Sequence, residues 1–193
     1  AFATPNLFLG NHDVPRFGDL LQRANMGNPT DSSTGEYWLR HKAAFSFMTA
    51  TSGPITFYYG EEIGDQLDGF STAVTTNCAD LGRCDDHVSR TDGKVPGVTA
   101  GYTATAQQTD LKTYLAALLK LRDDHPALAY GSLTRIYQAT PDAQVFIARK
   151  DATSDNVLYL LNTKKTDAVV TLSTAALGAT GELVNLLDSS NTI

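Results

Sequence analysis

Asn11, His12 and Asp13 stand side by side where the short apolar run Leu7-Phe8-Leu9 stops at Gly10. Beyond them Pro15 opens a segment in which Phe17, Leu20, Leu21 and Ala24 recur at helical spacing. A buried strand that delivers an amide, an imidazole and a carboxylate at its carboxyl end, just before a helix, is where α/β proteins place their chemistry. The competing reading is local. Asp13 precedes Val14-Pro15, a normal setting for a helix N-cap, and His12 would then make an ordinary polar contact.

The elements that must position these residues read as follows. Asn6 to Leu9 is a buried strand, and Arg16 to Met26 is a helix closed by Gly27. Residues 28–35 form a loop by composition. A helix from Glu36 to Ala50 follows, with Tyr37, Trp38, Ala44, Phe45 and Met48 on a broad apolar face, and Ser52-Gly53-Pro54 breaks it. Ile55 to Tyr59, with Phe57, Tyr58 and Tyr59 as core residues, is a second buried strand that ends at Gly60-Glu61-Glu62. The first sixty residues therefore run β-α-β, the pattern of parallel strands joined by a crossover. Residues 63–108 show no period, a length that a compact domain tolerates where the loop is functional. Thr109 to Asp123 is a helix ended by Asp124-His125-Pro126. From Leu128 the texture changes. Leu133–Gln138, Gln144–Lys150, Asn156–Asn162, Asp167–Ser173 and Glu182–Leu187 alternate with turn clusters and read as an antiparallel sheet or sandwich. The boundary lies near Tyr130-Gly131. Both ends read as cut, because the first strand needs neighbours on each side and two parallel strands do not close an α/β core.

The bulk properties narrow the function. The chain has 193 residues, 42% hydrophobic and 19% charged, with a formal net charge of −6, which suits a soluble globular protein. An acidic chain lacks the basic footprint of a nucleic-acid binder and suits neutral substrates such as sugars. No apolar run reaches the length of a membrane span, and residues 1–5 carry no signal-peptide pattern. Cys78 and Cys84 are separated by five residues in a polar loop. They read as a disulfide, hence an oxidising compartment, secreted or periplasmic. Two unrelated thiols are the alternative.

Taken in order, these segments resemble the α-amylase family of glycoside hydrolases, family 13. Phe8-Leu9-Gly10-Asn11-His12-Asp13 followed by Pro15-Arg16-Phe17 is similar to the family's fourth signature region, where Asn-His-Asp closes barrel strand seven. Gly53-Pro54-Ile55-Thr56-Phe57-Tyr58-Tyr59-Gly60-Glu61-Glu62 resembles strand eight. Leu118 to Leu128 resembles the last barrel helix, and the β-rich tail resembles the family's C-terminal sandwich. The resemblance implies α/β plus all-β architecture: residues 1–130 would be the last quarter of a (β/α)8 TIM barrel, and residues 131–193 a truncated antiparallel β-sandwich, domain C. The family's nucleophile and acid/base lie on strands four and five, and neither signature is present here.

Retaining cleavage of a glycosidic bond needs a nucleophilic carboxylate, an acid for the leaving oxygen, and stabilisation of an oxocarbenium-like transition state. The resemblance assigns the third role to Asp13, which would grip two adjacent sugar hydroxyls beside the developing positive charge. His12 would donate to the same sugar, with Gly10 and Asn11 shaping the turn. Arg16 is read as packing or pairing with an acid. Arg90-Thr91 resembles an Ala-Arg-Thr segment of oligosaccharide-acting members, but the Pro-Met-x-Trp that follows it there is absent. Arg90 is thus a candidate substrate contact, as is Glu62, the strand-eight acid, whose alternative is a structural hydrogen bond. Trp38 reads as core. No cofactor is expected in this chain, and calcium, if the complete enzyme holds it, would sit on residues not present here. The expected partners are an α-glucan oligosaccharide or polysaccharide and the missing N-terminal part of the barrel, with no nucleic acid and no membrane. The expected function is α-1,4-glucosidic cleavage of starch or maltodextrins by the complete enzyme, with this chain inactive alone. Competing readings are an α-glucosidase or transglycosylase on the same scaffold and a non-catalytic barrel scaffold protein. A His-Asp metal phosphohydrolase would need more His and Asp on helices than His12, His41, His87 and His125 provide.

Overall fold

A computed structural model describes residues 5–30, 35–67, 90–138, 144–178 and 182–188. Cys78 and Cys84 lie outside the described residues. The chain divides into two compact units, one made of Asn6–Phe45 and Ile55–Leu115, the other of Ala1–Pro5, Ser46–Pro54 and Ala116–Ile193. Two helices, α2 (Glu36–Ala50) and α3 (Ala106–Asp124), run through both.

In the first unit, Leu7 and Ile55 form a parallel bridge, with the Thr56 N–H donating to the Leu7 carbonyl at 2.9 Å. This single bridge is the whole ladder among the described residues, so the two buried strands expected at Asn6–Leu9 and Ile55–Tyr59 are extended backbone rather than sheet. Phe8 is accordingly 46% exposed and Tyr59 45%. The parallel sense holds, and it carries the ends of both segments to one side. Helix α1 (Phe17–Arg23) is shorter than the period predicts. Asn25 takes a left-handed φ of 54° and Met26 N–H folds back onto the Leu21 carbonyl at 2.8 Å, closing the helix before Gly27 is reached.

Helix α2 matches its predicted bounds. Its part in this unit builds an aromatic core. Phe17 meets the His41 ring edge-on at 5.0 Å, and Tyr37, Trp38, His41, Phe45 and Phe57 follow in ring contact. His41 is buried, donates from Nδ1 to the Tyr37 carbonyl, and burial pushes its pKa down to about 4. Helix α3 begins a turn earlier than expected because Thr105 and Gln108 form a capping box. Gln108 N–H donates to Thr105 Oγ1 at 3.2 Å and Thr105 N–H to Gln108 Oε1 at 3.0 Å.

In the second unit, α4 (Pro126–Tyr130) starts with Pro126 in its first turn. Asp155 accepts from Ala127 N–H at 2.9 Å and from His125 Nδ1 at 3.0 Å. The strands β1 (Ser132–Gln138), β2 (Val145–Ala152) and β3 (Asp155–Asn162) form an antiparallel meander, with a register shift between Arg135 and Tyr137. Val157, Ala127, Leu128 and Ala50 form its core. The strand expected at Asp167–Ser173 is absent. Its residues have no ladder partner among the described residues, Val169 is 97% exposed, and the Ser173 hydroxyl instead caps the short helix α5 (Thr174–Leu177) through Ala176 N–H. Within Glu182–Leu187 only Val184 bridges. The described residues therefore hold one three-stranded sheet, and no second layer of a sandwich is seen among them.

Candidate active site

The site grows from the place where Gly10 meets the 3-10 turn Glu61–Ile63. A Cβ on Gly10 would fall 2.7 Å from Glu61 Oε1, so glycine lets the two segments approach. Gly60, at φ 88°, plays the same part on the other side, where a Cβ would meet Asp65 and Arg16. From Gly10 the chain turns outward. Asn11 Oδ1 accepts the N–H groups of Asp13 at 2.8 Å and Val14 at 3.1 Å, an Asx turn that sets the backbone before the helix. Asn11 thus shapes the turn.

Asp13 is not a helix cap. The N-cap position of α1 is Arg16, whose side chain makes no cap hydrogen bond. His12 Nε2 lies 3.3 Å from Asp13 Oδ1, and both side chains are at least half exposed. Arg90, remote in sequence, reaches the same place. Its Nε donates to the His12 carbonyl at 2.9 Å and its Nη2 lies 3.8 Å from Asp13 Oδ1. The structure therefore brings together three of the predicted residues, His12, Asp13 and Arg90, supported by Asn11. Glu62 is turned to a local task, accepting from Gly60 N–H at 2.8 Å.

Beneath this surface lie groups that sequence reasoning missed. Glu61, rather than its neighbour Glu62, is the buried acid, and neither carboxylate oxygen has a hydrogen-bond partner among the described residues. Burial pushes its pKa up to about 7, against the opposing pull of the Arg16 cation. Arg16 is fully buried, as packing and pairing with an acid would require. Its Nη1 donates to the Tyr59 carbonyl at 2.5 Å, its guanidinium lies over the Tyr58 and Tyr59 rings at 4.6 and 4.8 Å, and Asp65 Oδ2 is 3.9 Å away. Tyr58 and Tyr59, expected as core, are faces for this cation. Asp65 also receives Lys94 Nζ at 2.6 Å. The sequence signal for this set was weak: the Arg16 of the signature stretch, and an acid five residues past Tyr-Tyr-Gly without a periodic context. Trp38 is buried against Tyr37 and Gly64, as its helix position implies.

Among the described residues no three His, Cys, Asp or Glu side chains gather as a metal site. No helix among them is long and apolar enough to cross a membrane.

No family model matches the chain. It is 28% identical over 179 residues to an α-amylase of Streptomyces lividans, covering 90% of this chain and 18% of that protein. It is 46% identical to AmyP, solved in complex with maltose, over 98% of this chain and 36% of that one, at a TM-score of 0.87. AmyP E221Q, solved with maltotriose, matches at 45% identity and a TM-score of 0.85. The α-amylase of Geobacillus thermoleovorans, complexed with acarbose, shares the fold at 21% identity and a TM-score of 0.67. The chain thus spans well under half the length of each of these relatives.

Proposed function

Starting from a chain that is homologous to α-amylases of glycoside hydrolase family 13, we propose that it is part of a retaining α-glucan hydrolase. Residues 1–130 would form the last quarter of its (β/α)8 barrel and residues 131–193 its C-terminal β-domain. The observation that carries the reading is the convergence of Arg90 on His12 and Asp13 at the end shared by two parallel extended segments. In this reading Asp13 accepts hydrogen bonds from two adjacent sugar hydroxyls and faces the positive charge that grows on the ring, an interaction stronger in the transition state than in the bound substrate. His12 donates to the same sugar, and Arg90 holds the His12 carbonyl and flanks the carboxylate. The nucleophile and the acid/base come from residues outside this chain, so the chain alone turns over nothing.

The relatives solved with maltose and maltotriose support a maltodextrin as the ligand. The test is Asp13→Asn in the full-length protein, with turnover of maltodextrins measured beside a folding check. The expected result is a loss of several orders of magnitude in kcat with the fold intact. An unchanged rate removes Asp13 from the chemistry. Hydrolysis by the 193-residue chain alone would overturn the division of the site. The proposal also places the protein outside the cytoplasm with Cys78 and Cys84 bridged. Thiol titration of denatured, unreduced protein should then find no free thiol.

A further inference from the structure

Thr91, next to Arg90, is fastened from three sides. Its carbonyl accepts from the Tyr59 hydroxyl, and its own hydroxyl accepts from Arg16 Nη2 at 3.0 Å and donates to Asp65 Oδ2. A threonine hydroxyl has one proton to give. With a guanidinium on one side and a carboxylate on the other, the direction of the chain Arg16→Thr91→Asp65 is set. Its ends are firmly held. Arg16 is fully buried and Asp65 is 4% exposed, with Lys94 on its second oxygen. Three residues of one short segment, Arg90, Thr91 and Lys94, therefore have their side chains committed, two of them to Asp65.

The contacts of Arg90 itself are of another kind. Its guanidinium and Asp13 are each about half exposed, and ion pairs in water hold a long side chain only weakly. An exposed arginine stays against Asp13 when its backbone is anchored, and the adjacent residue supplies that anchor through its hydroxyl, beside the Tyr59 bond to its carbonyl. We infer that Thr91 is a positioning residue that acts through Arg90: its hydroxyl, clasped between Arg16 and Asp65, holds Arg90 against His12 and Asp13. This rests on the reading of His12 and Asp13 as a sugar site.

The experiment uses the full-length protein in five forms: wild type, Thr91→Val, Thr91→Ser, Arg90→Ala, and Thr91→Val combined with Arg90→Ala. Two readouts are taken, kcat and KM on maltodextrins and the rate of trypsin cutting after Arg90 and Lys94. Valine keeps the shape of threonine and removes the hydroxyl. Losing charge-assisted bonds of this kind should lower kcat/KM about tenfold, and serine should restore most of it. In the Arg90→Ala background the valine substitution should cost nothing further. An equal loss in both backgrounds overturns the inference, because the hydroxyl would then support the fold and not Arg90. Trypsin should cut Thr91→Val several-fold faster than wild type or Thr91→Ser, and unchanged cutting also overturns the anchoring. Wild-type protein inactive on maltodextrins would sink the sugar reading instead, while the cutting rates still decide the anchoring.

Discussion

Arg16 and Arg122, one in each unit, withdraw from water in opposite ways. Arg16 meets a backbone carbonyl, two aromatic faces, a carboxylate and the hydroxyl of Thr91, which is distant in sequence. Arg122 meets backbone oxygens. Its Nη1 reaches the carbonyls of Thr49, Thr51 and Leu128 at 2.5, 2.9 and 2.9 Å, and its Nη2 reaches that of Gly53. Those oxygens cluster around the C-terminal end of α2, where a cation complements the helix dipole and satisfies orphan carbonyls. Lys150, buried nearby in the same unit, follows the pattern by donating to the Gly131 carbonyl at 2.8 Å and to the Ser52 hydroxyl. Backbone oxygens are present whatever the sequence around them, so a cation on them stitches turns. A cation on a carboxylate and a hydroxyl gathers specific side chains, and in this protein the gathered segment carries Arg90 to Asp13.

That contrast can be broken experimentally, and the largest effect falls on Arg16. Arg16→Met should destabilise by about 3–5 kcal/mol, because the Tyr59 carbonyl and the Thr91 hydroxyl lose a charged donor and the Tyr58 and Tyr59 rings lose their cation, and the folded remainder should lose activity. Retained kcat/KM in the folded fraction would show that Arg16 serves stability alone. Arg122→Met should cost about 3 kcal/mol in denaturant titrations, since several carbonyls lose their donor. Activity per folded molecule should be kept, and a fall in it would erase the distinction between the two arginines.

The buried acid offers a third probe. The folded Glu61 carboxyl keeps its proton up to about pH 7, whereas an unfolded glutamate releases it above about 4.3. Between these values the folded chain binds the extra proton, so raising the pH favours unfolding. His41 has the opposite sign. Its folded imidazole stays neutral down to about pH 4, so lowering the pH from the normal histidine range favours unfolding. The two slopes offset each other in the wild type. Glu61→Gln removes one of them, and its stability relative to wild type should rise by about 2–3 kcal/mol from pH 4.5 to 7. Melting curves at those pH values check this, and a constant difference would mean that Glu61 ionises normally. The smallest effect is at the α3 cap, where Thr105→Ala should cost about 1 kcal/mol with no change in activity.

Legibility followed the range of the interactions. Helix α2 matched the sequence residue for residue because its start and its Ser-Gly-Pro stop are local signals. The meander from Ser132 to Asn162 was legible through alternation and turn clusters. Asp167–Ser173 failed because β-branched composition describes a willing strand and cannot supply its ladder partner. The start of α3 was missed because a capping box in Thr-Ala-Gln-Gln is polar and carries no period. In the site, Asn11, His12 and Asp13 were legible as contiguous residues at a strand-like end. Arg90 was named through resemblance alone, and Thr91, Asp65, Lys94 and Glu61 were not singled out as site residues.

Local signals carried helix α2, the turn at Gly10-Asn11, the strands of the meander, and a His-Asp pair at the close of an extended run. The parallel sense of Leu7 and Ile55 was also implied by the β-α-β order. Which acid is buried, and which side chains surround Arg16, came from long-range packing. Glu61 and Glu62 are adjacent and chemically identical, yet Glu61 is buried against Gly10 while Glu62 clasps the Gly60 N–H. Desolvation and hydrogen-bond partnership depend on what other segments bring to a residue, and sequence neighbours do not carry that information.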